Sequence, residues 1–155
     1  MTLDISSPLY DVHLNTTQAG EGPEIHERGY YYRPYTVQNN DGTAADLTGY
    51  TIACRFADDT GTLIFTGVIV ASAADLLAGK FAVTIPSGTG AGSTGSVSPV
   101  LGTSVGTVCA PAAFEGFEDP TKFQLLDFDV TADDTVNGPQ PIVKGQARFY
   151  ESTIA

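Results

Sequence analysis

RGYYYRPYTVQNNDGTAADLTGYTIACRFADDTGTLIFTGVIV, residues 28–70, runs into ASAADLLAGKFAVTI, residues 71–85, and this stretch decides the fold. From Tyr50 the apolar residues Tyr50, Ile52, Cys54 and Phe56 alternate with Thr51, Ala53, Arg55 and Ala57. A period of two is the mark of a strand with one buried face. Upstream, Tyr30 to Val37 is aromatic and β-branched, which suits a pleated surface. Downstream, Leu63 to Val70 is a further β-branched run. Phe81, Val83 and Ile85 then alternate with Lys80, Ala82 and Thr84. Asp41-Gly42 and Asp58-Asp59-Thr60-Gly61 separate the runs, and Gly takes the positive φ of such turns without steric cost. Ser72 followed by Asp75, with Gly79 beyond, predicts one helical turn with its start and stop. Strands at this spacing point to an antiparallel sandwich or barrel.

The remaining chain completes that block. Leu126, Phe128 and Val130 alternate with Asp127 and Asp129, so a strand is expected over 123–131. Residues 132–139 hold Asn137-Gly138-Pro139 and read as a turn. Pro141 to Tyr150 is the last expected strand, with Val143, Gly145, Ala147 and Phe149 on one face. Residues 1–27 lack regular periodicity yet carry Leu3, Ile5, Leu9, Tyr10, Val12, Leu14 and Ile25. A free polar tail would not hold so many apolar residues. The segment reads as an extended arm packed on this domain or a neighbour, or as a first strand of the same sheet. Residues 87–120 change to Gly, Ser, Thr and Pro, and form a long inserted loop or hairpin. The expected organisation is an arm over 1–27 and one sandwich domain over 28–155.

Composition narrows the function. The 155 residues carry a formal net charge of −11 with only seven Lys plus Arg. Such a chain repels phosphate backbones and anionic lipid surfaces, so neither nucleic acid nor membrane is an expected partner. Charged residues make up 16%, against about 25% in a typical soluble domain, which suggests surface covered by other subunits. The start, MTLDISSPLYDVHL, has no basic and apolar signal pattern, and no apolar run is long enough to span a bilayer.

Residues with chemical potential read as structural. Cys54 lies on an apolar strand face and reads as a small buried hydrophobe, and a bridge to Cys109 depends on the sheets bringing the two together. His13 and His26 lie in the irregular arm with no framed nucleophile. Asp127 and Asp129 share a strand face as a glycosidase pair or metal site would, but they alternate with apolar residues as a solvated face does. Asp133-Asp134-Thr135-Val136-Asn137-Gly138 lacks the spacing of a calcium loop. Gly90, Gly92 and Gly95 lack the Lys-Ser/Thr of a phosphate loop. No catalytic residue, metal site or cofactor is expected. The cluster Tyr30-Tyr31-Tyr32-Tyr35 suits sugar stacking or an interface, with about half of it buried by alternation.

The order Tyr35-Thr36-Val37, Asn40-Asp41-Gly42-Thr43, Asp46-Leu47-Thr48-Gly49-Tyr50-Thr51-Ile52 resembles the immunoglobulin-like domain of tailed-phage baseplate upper proteins and related tail structural proteins. Ala78-Gly79-Lys80-Phe81-Ala82-Val83-Thr84-Ile85 and Val143-Lys144-Gly145-Gln146-Ala147-Arg148-Phe149 are similar to later segments of that family. The likeness covers residues 28–85 and 121–150. It implies an all-β, immunoglobulin-like antiparallel sandwich, and a non-enzymatic virion structural protein made in the host cytoplasm. The role implied is tail, baseplate or connector assembly as a homo-oligomer that contacts its own copies and neighbouring virion proteins. In that role the arm and the loop make the contacts, and the candidate interface residues are Leu9, Tyr10, Val12, Leu14, Val100, Leu101, Phe114 and Phe117. Removing residues 1–27 should then leave a folded domain that cannot assemble. Two other roles suit a small acidic sandwich. One is a carbohydrate-binding adhesin module with Tyr31, Tyr35, Phe114 or Phe117 on an exposed platform. The other is a capsid decoration protein.

Overall fold

The computed structural model describes residues 3–12, 23–26, 31–58, 60–85 and 124–150. Among these residues, eight strands and one short helix follow in order: β1 Leu9–Asp11, β2 Glu24–His26, β3 Tyr32–Thr36, β4 Thr51–Ala57, β5 Leu63–Val70, α1 Ala73–Leu77, β6 Lys80–Thr84, β7 Gln124–Asp133 and β8 Pro139–Tyr150. They form one curled sheet of order β1-β8-β7-β4-β5-β6-β3, with β2 also paired to β8. The chain is all-β, as the alternation in 50–57 requires.

β4 lies at the middle of the curl. Cys54 and Phe56 are buried while Thr51, Ala53 and Arg55 face out, so the period of two is realised. Phe56 stands opposite Phe65 on β5 and Phe128 on β7. The rings are 4.6 Å and 5.4 Å apart, which makes an aromatic row across three strands. Such cross-strand aromatic pairs each contribute on the order of 0.5–1 kcal/mol. On the next strand the row meets Gly145, the register partner of Phe128. A Cβ there would lie 2.7 Å from the Phe128 ring and 2.0 Å from the Asp11 carbonyl oxygen. The bare backbone of Gly145 is what lets β1 come alongside.

β5 makes the sheet curl. Leu63 to Gly67 pair with β4, and Val68 to Val70 pair with β6. Gly67 sits at the change of partner, where a Cβ would lie 2.7 Å from Val83 Cγ1. Two register shifts help. One falls between Phe56 and Ala57, so Ile64 drops out of the ladder and is buried. The other falls between Val130 and Thr131 and leaves Ile142 without a ladder partner. Ile142 and Val143 are therefore both fully buried, though alternation alone would send them to opposite faces. On β6, Ala82 and Thr84 are buried as well as Phe81 and Val83, so both faces of this strand are covered.

The helical turn forms as expected. Ser72 Oγ accepts from the Asp75 N–H and the Asp75 carboxylate accepts from the Ser72 N–H, a reciprocal cap. Gly79, at φ +74°, ends it.

The described parts of the N-terminal segment join the sheet. β1 and β2 both run parallel to β8, at Val143–Gly145 and Arg148–Tyr150. Leu3 and Ile25 enter the core. Loss of 1–27 would therefore strip two strands and two core residues, and should destabilise the sheet itself. Arg148 is fully buried opposite Glu24 in the β2–β8 ladder, and its N–H donates to the Pro23 carbonyl.

β1 and β3 are the two ends of the strand order, and polar contacts close the seam between them. Arg33 donates to Asp11 through Nε at 2.9 Å and Nη2 at 2.7 Å, and the Tyr35 hydroxyl donates to Asp11 Oδ2 at 2.7 Å. Below them the Asn40 N–H donates to the Asp4 carbonyl, and Ser6 donates to Asn40 Oδ1.

Candidate assembly surface

The curl has two outer faces of opposite character, and each follows from register. On β4, β7 and β8, Arg55, Asp129 and Lys144 form one cross-strand row. Arg55 Nη2 lies 3.2 Å from Asp129 Oδ2, and Gln146 donates to Asp127 at 3.1 Å. Arg55, Asp127, Asp129 and Lys144 line a shallow concavity of about 350 Å³. Asp127 and Asp129 thus sit on the solvated face of an ordinary strand, with a cation and an amide as partners. At this exposure the ion pair adds little to stability.

The outer face of β3, β6 and β5 is different. Its rows are Tyr32–Thr84–Val68 and Pro34–Ala82–Val70. Tyr32, Val68 and Val70 are 51%, 43% and 49% exposed. No charge interrupts these two rows; Lys80, paired with Thr36, comes only in the next one. Across the seam the surface continues into a groove of about 320 Å³ lined by Leu9, Tyr10, Asp11, Arg33, Pro34 and Tyr35. Leu9 is 43% and Tyr10 62% exposed there. The result is a band of exposed apolar residues, Tyr32, Val68 and Val70 with Leu9 and Tyr10 across the seam, broken at β6, where Ala82 and Thr84 are buried, and at the seam by Asp11 and Arg33. Exposed apolar side chains grouped on one surface suit an interaction site better than the same residues scattered singly.

Of the expected interface residues, Leu9 and Tyr10 fall on this band, and Val12 is exposed just past β1. Leu14, Val100, Leu101, Phe114 and Phe117 lie outside the described residues, as do His13, Cys109, Gly90, Gly92 and Gly95. Tyr32, Val68 and Val70 were missed. Their signal was present: GVIV at 67–70 is continuously apolar where a half-buried strand would alternate. Tyr31 and Tyr35 cannot form an exposed sugar platform, because both point into the core. Tyr31 packs edge-on to Phe56 and Tyr35 against Phe81.

The titratable groups of the interior are held in single states. Burial pushes the Cys54 thiol up to about 12, with Asp129 adding to it, so it stays protonated. Burial likewise raises both Tyr31 and Tyr35, and they remain neutral phenols. The hydrogen bond to Asp11 is the largest cause raising Arg33, which stays charged. Among the described residues, no group of three or more His, Cys, Asp or Glu is placed to hold a metal. Among them too, no helix is long and apolar enough to cross a membrane. Compared with known proteins, the chain matches no family model and no curated relative.

Proposed function

We propose that this chain is a non-enzymatic structural protein of a tailed-phage virion, a tail, baseplate or connector component that works by packing against copies of itself and neighbouring virion proteins. The observation that carries the reading is the contrast between the two outer faces. A chain of net charge −11 keeps the Tyr32–Thr84–Val68 and Pro34–Ala82–Val70 rows of its sheet free of charge, with Tyr32, Val68 and Val70 exposed. That side is where like-charged copies meet with least repulsion. The resemblance over 28–85 and 121–150 supplies the virion setting.

In this reading the curl is an immunoglobulin-like sandwich. One layer is β1, β2, β8, β7, β4 and the first half of β5; the other is the second half of β5 with β6 and β3. The change of partner at Gly67 and the parallel pairing of the N-terminal strands with the last strand support it. The rigid sandwich is a spacer, and the band is its contact surface. Mass spectrometry of particles purified from a lysed culture of the source strain tests the setting. Peptides of this chain should co-purify at fixed copy number per particle. Recovery only in the soluble fraction would overturn the virion assignment.

A further inference from the structure

We propose that β1 is an exchangeable strand, and that the notch it fills between β8 and β3 accepts β1 of a second copy of this chain. The proposal rests on the assembly reading and names its partner and contact.

The notch is built for one kind of occupant. Arg33 Nε, Arg33 Nη2 and the Tyr35 hydroxyl converge on a single carboxylate, that of Asp11. Without β1, a guanidinium and a phenol hydroxyl at the seam lack that acceptor. On the other wall, Gly145 leaves backbone bare where any Cβ would collide with the Asp11 carbonyl. A strand that fits must therefore lie parallel to β8 and place a carboxylate opposite the glycine. The segment Leu9-Tyr10-Asp11 meets both demands.

Within β1 itself the hold apart from that latch is light, and residues 3–8, anchored by Leu3 in the core and by the Asp4, Ile5 and Ser6 contacts to Asn40 and Gln140, would exchange together with it. Its ladder with β8 covers three residue pairs, and Leu9 and Tyr10 are 43% and 62% exposed. Ten residues, 13–22, separate Val12 from Pro23 in sequence. Ten residues reach at most roughly 33–36 Å when extended, about the width of a small domain. β2 can thus remain on its own β8 at Arg148–Tyr150 while β1 occupies the notch of a neighbour. The contacts made in trans equal those lost in cis, and the Asp–Arg pair they form carries no net charge. Exchange of an identical element is a low-cost route to association.

The test uses register partners on full-length chains. Tyr10 and Lys144 face each other across β1 and β8, and both are exposed. Adjacent strands lie roughly 5 Å apart, within disulfide range. One chain carries Tyr10→Cys and another Lys144→Cys, each with Cys109→Ser. They are unfolded, refolded together and oxidised, and the products are weighed by mass spectrometry. Exchange predicts a shift from monomer to a disulfide-linked heterodimer that outweighs both homodimers. A mixture that stays monomeric while a chain bearing both cysteines closes its own disulfide overturns the proposal. Failure of that chain to close also overturns it, since β1 would then not occupy the notch. An oligomer by light scattering without the heterodimer would reject exchange and leave the assembly reading standing.

Discussion

Replacing Asp11 by Ala should unlatch the seam that holds the two ends of the sheet together. The carboxylate accepts three hydrogen bonds, two from Arg33 and one from Tyr35. Its side chain is 13% exposed and that of Arg33 37%. Breaking a fully buried pair costs about 3–5 kcal/mol because a charge is left unpaired. Arg33 can turn its guanidinium toward water, so the lower end of that range applies to it. The Tyr35 hydroxyl is buried and loses its acceptor, which adds about 1–3 kcal/mol. The loss should total about 4–6 kcal/mol, a fall in Tm of roughly 8–24 °C for a domain of this size. Urea unfolding of the variant, with the slope unchanged, measures it. Arg33→Met should cost less than Asp11→Ala, and the double variant less than the sum, because each single change orphans a partner. A loss under about 0.5 kcal/mol for Asp11→Ala, additive with Arg33→Met, would refute the latch.

Other consequences are as sharp. Gly145→Ala puts a methyl 2.0 Å from the Asp11 carbonyl and 2.7 Å from the Phe128 ring, and overpacking of this kind costs about 1–3 kcal/mol. Hydrogen exchange should show the β1 amides unprotected in that variant, whereas wild-type protection there would count against the close approach. Asp41, Asp46, Asp58, Asp75 and Asp134 are all held below their ordinary value of 3.8, the first three chiefly by hydrogen bonds to side-chain hydroxyls and the last two chiefly by backbone N–H groups. Each folded pKa lies below the unfolded one, so this stabilisation is fully present above pH 3.8 and is lost as pH falls through the lower folded values. The urea midpoint should be flat between neutral pH and the unfolded carboxylate range and drop below it, and a midpoint that rose on acidification would contradict the turn geometry. In a Cys109→Ser background, Cys54 should react with a thiol reagent at pH 8 only as fast as the chain unfolds; rapid labelling of the native protein would show that the thiol is not in the core.

Much of the fold was legible because single strands obey local rules. β5 spans Leu63–Val70, the run of β-branched residues between two turns. The Ser72/Asp75 cap and the Gly79 stop follow from residue chemistry within eight positions of chain. Leu126, Phe128 and Val130 are buried and Asp127 is exposed, as alternation requires. What the residues did not disclose depends on contacts distant in sequence. Ile142 is buried because the β7–β8 register slips by one residue there, and nothing local to Pro141-Ile142-Val143 signals a slip. Arg148 reads as a solvent-facing cation until β2 is laid beside it from more than a hundred residues away. The Asp11–Arg33–Tyr35 latch joins the two ends of the sheet and has no periodic signature. The apolar band was half legible: Leu9 and Tyr10 stood out in the arm, whereas nothing in the run 63–70 or the tyrosine cluster assigned Tyr32, Val68 and Val70 to a face until register placed them on the outer one.

The most direct check on the account is the mass of the protein in solution, by light scattering, for wild type and for Val68→Asp. Val68 is 43% exposed on the outer face, so a carboxylate there reaches water without entering the core. The account predicts a defined oligomer for wild type that grows with concentration, and a monomer for the variant with the same urea midpoint. A wild type that is monomeric at every concentration, or a Val68→Asp chain that assembles as wild type does, would contradict it.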